Sequence, residues 1–168
     1  MVAPSKTASA KPRVFVDATV LFAGIGWPRW SYQVLRHAAQ DDFELVLIPL
    51  VIEQARRNLQ AKLPTFIAAF DTWLSHIACE IALDPEPHAV LAQLDLMRDV
   101  DDVPVAVAAL EAHVDYLVSE DKDFTEESAT QELRKQVTIM RPVIFLREVM
   151  GWSSQELEEI RRRDWPLE

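Results

Sequence analysis

The sequence predicts an α/β domain built on a mostly parallel sheet of about five strands, and three observations carry the prediction. Short apolar, β-branched stretches alternate with segments whose apolar residues recur at helical spacing. Capping serines and first-turn prolines fall where those helical segments begin. The five prolines from Pro49 to Pro104 sit at element edges, where a missing N–H does least harm.

The first strand is expected over 13–17, RVFVD. It ends on a carboxylate, Asp17, and the chain then turns apolar again through Phe22. A carboxylate pressed against apolar neighbours is costly unless a capped backbone, a basic side chain or a metal ion meets it. Further strands are expected at 44–48 (ELVLI), 79–83 (CEIAL), 115–119 (DYLVS) and 137–140 (VTIM). Helices are expected over 31–40, opened by Ser31, over 51–62, which stops before Pro64, and over 65–77. In the last of these Phe66, Phe70, Trp73 and Leu74 share a face. Two more helices are placed at 88–98 and 103–113. Pro142 then opens a helix over VIFLREVM that Gly151 closes, and Ser153 or Ser154 caps QELEEIRRR.

The chain of 168 residues is expected to be one domain, with 49% apolar and 26% charged residues. The longest apolar run, Leu45 to Ile52, is shorter than the roughly 20 residues of a membrane span. Residues 1–12 lack a secretory apolar core and read as a flexible tail. The lone Cys79 forms no internal disulfide and suits a reducing, cytoplasmic compartment. Four scattered histidines make no zinc pattern. Gly24-Ile25-Gly26 lacks the third glycine of a dinucleotide fingerprint.

Net charge is −10, and because Lys6, Lys11 and Arg13 precede any acid, residues 14–168 carry −13. Between Asp84 and Glu127 thirteen acids meet only Arg98 and Lys122. Such a balance argues against a nucleic-acid partner, and solubility is its default reading. Gathered acids can also hold divalent cations, which reverse the local field.

In a parallel sheet, ligands gather beyond the carboxyl ends of the strands, and four acidic positions are expected at that edge. Asp17 ends the first strand; Glu53 lies in the opening turn of the helix after ELVLIPL; Asp101 and Asp102 open VPVAVAALEAH; Asp121 follows DYLVS, with Asp123 two residues on. Oxygen-only ligands suit Mg²⁺ or Mn²⁺. Each acid also has a plain structural role: Glu53, Asp101 and Asp102 favour helix N-termini, and Asp121 and Asp123 form turns. Asp17 fits such a role least, so a metal ligand is the reading preferred for it.

In order and spacing, VFVDATVLFAG, LVLIPLVIEQARRNL, RDVDDVPVAVAALEAHVDYLVSEDKDF and IMRPVIFLREV resemble the PIN-domain nucleases, in particular bacterial toxins of the VapC-like type. The resemblance covers about 13–150, leaving 1–12 as tail and 151–168 as a C-terminal helical extension. It implies a three-layer α/β/α sandwich, a divalent-metal site and cleavage of single-stranded RNA. It also implies an antitoxin partner that blocks the acidic cleft with basic side chains, and homodimerisation as in relatives. The family's acids fall on Asp17, Glu53, Asp102 and Asp121, with Asp101, Asp123, Ser119 and Thr19 as auxiliaries. Thr19 stands where the family usually has Asn, and Ser119 where it usually has Thr.

Substrate steering is expected from Arg56, Arg57, Lys122 and the Arg161–Arg163 run, which otherwise reads as a solvated helix end. Trp27, Trp30 and Tyr32 suit either base stacking or packing. The rival reading is a silent PIN-like module that binds protein or RNA, with Trp152 and Trp165 as partner contacts. A phosphatase of the Asp-nucleophile type is disfavoured, since Thr19 occupies the place of its second acid.

Overall fold

The computed structural model describes residues 10–166. Five parallel strands form the sheet: β1 (Arg13–Val16), β2 (Glu44–Leu47), β3 (Cys79–Ile81), β4 (Tyr116–Val118) and β5 (Thr138–Met140), in the order β3-β2-β1-β4-β5. Val14 sits beside Leu45 on one side and Tyr116 on the other. The central strands β1, β2 and β4 are nearly continuous apolar runs, as strands covered on both faces require: Val14, Phe15, Val16, Val46, Leu47, Leu117 and Val118 are all fully buried.

From β1 the chain steps outward to β2 and β3, then crosses back to β4 and β5 on the other side of β1. Right-handed crossovers put the helices of the two halves on opposite faces. One half carries α1 (Ala18–Gly26), α2 (Trp30–Ala39), α3 (Pro49–Lys62) and α4 (Ile67–His76). The other carries α5 (Pro87–Leu91), α6 (Val103–Glu111) and the short α7 (Lys122–Thr125). The result is the expected three-layer α/β/α sandwich, and its switch point lies between β1 and β4, where Asp17 and Asp121 emerge.

Helix α1 is absent from the sequence expectations. ATVLFAGIG is apolar on every side and carries no helical stripe, because α1 is wedged between α2 and α3. Gly24 makes that wedge possible: a Cβ there would meet Leu35 Cδ1 at 2.5 Å and the Ser31 carbonyl oxygen at 3.1 Å. The single helix expected at 88–98 is also corrected. It stops at Leu91, and a 3₁₀ turn at Leu94–Leu96 follows, which carries Leu96 and Met97 into the core while Leu91 stays in solvent.

Beyond β5, α8 (Pro142–Glu148) lies on α2, and Phe145 meets Phe43 and Tyr116 edge-on at 5.4 and 6.0 Å. Gly151 has φ +80, the left-handed conformation that ends the segment. Helix α9 (Ser154–Ile160) begins with a full capping box between Ser153 and Glu156. The segment after it returns across the α1–α2 junction. Arg163 Nε donates to the Pro28 carbonyl, and Trp165 Nε1 donates to that of Gly26. Trp152 Nε1 donates to His37 Nε2. Trp152 and Trp165, expected on the rival reading to meet a partner, thus bond to their own chain.

Of the expected N-terminal tail, residues 1–9 lie outside the described residues. At its end Lys11 pairs with Asp41 at 2.5 Å, and the Pro12 carbonyl accepts from the Glu44 N–H. No described helix is long and apolar enough to cross a membrane.

Candidate active site

Asp17 is the hinge between β1 and α1, and it is 4% exposed. It caps α1: Oδ1 accepts from the Thr19 and Val20 N–H groups at 3.1 and 3.3 Å and from the Thr19 hydroxyl at 2.6 Å. Oδ2 accepts from the Ser119 hydroxyl at 2.5 Å. Both hydroxyls are themselves fixed from the β4–α7 turn. The Glu120 N–H donates to Thr19 Oγ1 and the Asp121 N–H to Ser119 Oγ. The departures from the family pattern therefore keep a full polar network. No salt bridge among the described residues reaches Asp17. Burial pushes its pKa up to about 6, the Ser119, Thr19 and Val20 hydrogen bonds oppose that rise, and the Asp121 charge adds to it.

Asp102 stands where a 3₁₀ turn (Val100–Asp102) runs into α6. Burial raises its pKa to about 7, helped by the charges of Asp121, Asp99, Asp123 and Asp17. Asp121 caps α7 by accepting from the Asp123 N–H at 2.9 Å. Carboxylate oxygens of Asp99, Asp102 and Asp123 lie within 4.8 Å of one another. The Asp123 carboxyl is raised by desolvation and by Asp121 and Asp99, with Arg98 opposing. Asp17, Thr19, Asp102 and Asp121 line a cleft of about 280 Å³ whose far wall is α3, through Gln54, Arg57 and Asn58.

The structure thus brings together Asp17, Asp102, Asp121 and Asp123, with Ser119 and Thr19 beneath them. It sets other candidates apart. Pro49 and Leu50 belong to α3, so Glu53 lies in its second turn and not its opening one. Its carboxylate is exposed, pairs with Arg57 at 2.8 Å and does not line the cleft. Asp101 is exposed and uses its N–H to orient Asp99, at 3.0 Å. Arg56 pairs with Asp71 and lies over the Phe70 ring, on the α4 side. Of the cations offered for substrate, Arg57 lines the cleft, whereas Arg56, Lys122 and the Arg161–Arg163 run do not.

Sequence reasoning missed Asp99, Gln54 and Asn58. Asp99 stands three residues before Asp102, a spacing that joins two carboxylates across one turn. Gln54 and Asn58 share a face of α3 at i and i+4 and carry no titratable group that would single them out.

The PIN domain family model matches residues 13–123, about two-thirds of the chain. The chain belongs to the PIN domain family, a family of nucleases. No curated protein matches it. Among solved structures it is similar to PAE2754 from Pyrobaculum aerophilum, at 17% identity and a TM-score of 0.58, covering 84% of this chain and 97% of that one. It is also similar to VapBC2 from Rickettsia felis bound to a DNA fragment from their promoter, at 12% identity and a TM-score of 0.54, covering 77% and 98%. At these identities the likeness speaks for the fold.

Proposed function

We propose that this protein is a divalent-metal-dependent endoribonuclease that cuts single-stranded RNA in the cytoplasm, and that it serves as the toxin of a toxin–antitoxin pair. One observation carries the reading: acids from β1, α6 and the β4–α7 turn converge on one cleft, and the most buried of them, Asp17, has no cationic partner among the described residues.

The donor set fits Mg²⁺ or Mn²⁺. It consists of oxygens only, and Asp17 Oδ2 receives a single hydrogen bond among the described residues, leaving acceptor capacity toward the cleft. Asp17, Asp102 and Asp121 hold the cation, with Asp123 beside them. Glu53, paired with Arg57 outside the cleft, would join the set only by leaving that pair and is not counted among the direct ligands. The cation, when bound, supplies Lewis-acid stabilisation of developing charge and makes a nearby water more acidic. Thr19 and Ser119 fix both oxygens of Asp17, so the carboxylate meets its ligand without reorganising. Asp102, raised to about 7, must lose its proton before it can ligate. Arg57, on the cleft wall, offers a guanidinium to a substrate phosphate. An antitoxin would inhibit by placing a basic side chain among these acids, and the VapBC2 likeness favours that class of partner.

The test is cleavage of a mixed single-stranded RNA pool with Mg²⁺ or Mn²⁺, beside an EDTA control and Asp17→Asn. Metal-dependent cutting that vanishes in the variant is expected. Absence of cutting by metal-loaded wild type would remove the nuclease reading and favour the silent binding module.

A further inference from the structure

An RNA strand must reach an acidic centre on a chain whose net charge is −10, so phosphates need local cations. Besides Arg57 on the cleft wall, the carboxyl edge of the sheet supplies cations beyond β5. The Ser119 N–H bonds the Met140 carbonyl at 3.0 Å, so β5 ends beside the β4–α7 turn and delivers Arg141 next to Glu120.

Two hollows open from this point. One, of about 240 Å³, lies against Trp27, Trp30, Ser31, Glu120 and Arg161. The other, of about 390 Å³, is bordered by Trp30, Arg141 and Arg161. Both are bordered by Trp30 and Arg161.

The groups along them are prepared for a ligand. Trp30 is fixed by its Nε1–H to the Leu157 carbonyl at 2.9 Å, which leaves a rigid ring wall. Ser31 is 3% exposed and lines the first hollow beside Glu120. Arg141 is exposed and enters no salt bridge among the described residues. Arg161 has a 3.6 Å contact with Glu158 at the exposed end of α9 and no other salt bridge among the described residues.

We propose that the single strand leaves the acidic cleft over the β4–α7 turn, stacks a base on Trp30 and rests its phosphates on Arg141 and Arg161. This rests on the ribonuclease reading and deepens it. It also gives the C-terminal extension a task, since α9 contributes Arg161 to a path that β5 and α2 begin. Stacked bases beside tracked phosphates are how sequence-tolerant single-strand binding works.

The experiment is fluorescence anisotropy of a labelled single-stranded RNA of about twelve nucleotides, within the range of known single-strand site sizes, in EDTA so that no cleavage intrudes. It compares wild type, Arg141→Ala/Arg161→Ala, the charge-keeping Arg141→Lys/Arg161→Lys, and Lys135→Ala, which removes a cation on the opposite, amino edge of the sheet. The alanine pair is expected to weaken binding about tenfold or more and to flatten the dependence of log Kd on log salt by about 1.4, two contacts at roughly 0.7 each.

The lysine pair should stay within about threefold of wild type, because phosphate contact needs charge more than shape. If the alanine pair fails to fold, Arg141→Gln/Arg161→Gln takes its place, with the same weakening expected and unchanged binding overturning the path. Lys135→Ala should bind as wild type does. An alanine pair that binds RNA as tightly as wild type, with an unchanged salt slope, overturns the path and leaves this surface to a protein partner. Salt-sensitive binding through these arginines without metal-dependent cutting would keep the path and remove the nuclease reading.

Discussion

Asp17 and the Asp99–Asp102–Asp123 group, which meets the same cleft through Asp102, are held in opposite ways. Asp17 is almost wholly buried and receives four hydrogen bonds, from Thr19, Val20 and Ser119. The other group is half-exposed, gathered within 4.8 Å and held by turns, with like charges facing one another. The first side is preorganised and costs desolvation. The second is adjustable and costs repulsion. A cation relieves both costs, so the two sides should respond differently when it is withheld.

The largest expected effect comes from breaking the rigid side. Asp17→Asn keeps the size of the side chain and removes its charge. Its loss of metal-dependent RNA cleavage should exceed the roughly 10–100-fold that follows removal of a ligand's supporting hydrogen bond. Ser119→Ala takes away that support, leaving Asp17 Oδ2 and the Asp121 N–H without this partner. Stability should fall by about 1.5–3 kcal/mol, the range for hydrogen bonds to charged groups. Chemical denaturation of the metal-free protein measures it, and Thr19→Ala gives the companion value.

Acidity sharpens the contrast next. Asp17 and Asp102 have folded pKa values of about 6 and about 7, both raised from 3.8. The folded protein therefore holds these protons more tightly than the unfolded chain does. Their contribution to stability is fully present below the unfolded value and is lost as pH rises through about 6 and then about 7. Without metal, stability from these groups should decline across that window. The stabilisation gained on adding Mn²⁺ should grow across it, as thermal melts in EDTA and in Mn²⁺ at several pH values will show.

The smallest effect is expected at Glu53, whose exposed pair with Arg57 is of the i,i+4 kind worth about 0.3–0.5 kcal/mol. Glu53→Gln should reduce the Mn²⁺-induced rise in Tm by less than Asp102→Asn does. An equal reduction would place Glu53 among the direct ligands despite its outward pose.

The same contrast explains what the sequence discloses. The strands were legible because a sheet buried on both faces needs apolar β-branched runs, and Val14-Phe15-Val16 ending on Asp17 announced its edge. Asp17, Asp102 and Asp121 were legible because acids at strand ends and helix starts converge in a parallel sheet. Helix α1 was not, since a helix buried all round has no stripe to read. Nor was the orientation of α3: one residue, about 100° of helix, separates outward Glu53 from inward Gln54. Asp99 was hidden by neighbouring acids, because only the 3₁₀ turn at Val100–Asp102 shows that it joins the group while Asp101 points away. The docking of Trp165 at Gly26 depends on long-range contacts with no local signature.

The most direct measurement is calorimetric titration of the metal-free protein with Mn²⁺ at pH 8 and at pH 5.5, repeated with Asp17→Asn and Asp102→Asn. A metal-holding acid centre predicts saturable binding that is tighter at the higher pH, releases protons, and is lost or sharply weakened in both variants. Binding that is absent, or that persists unchanged in both variants, would contradict the assignment of this cleft.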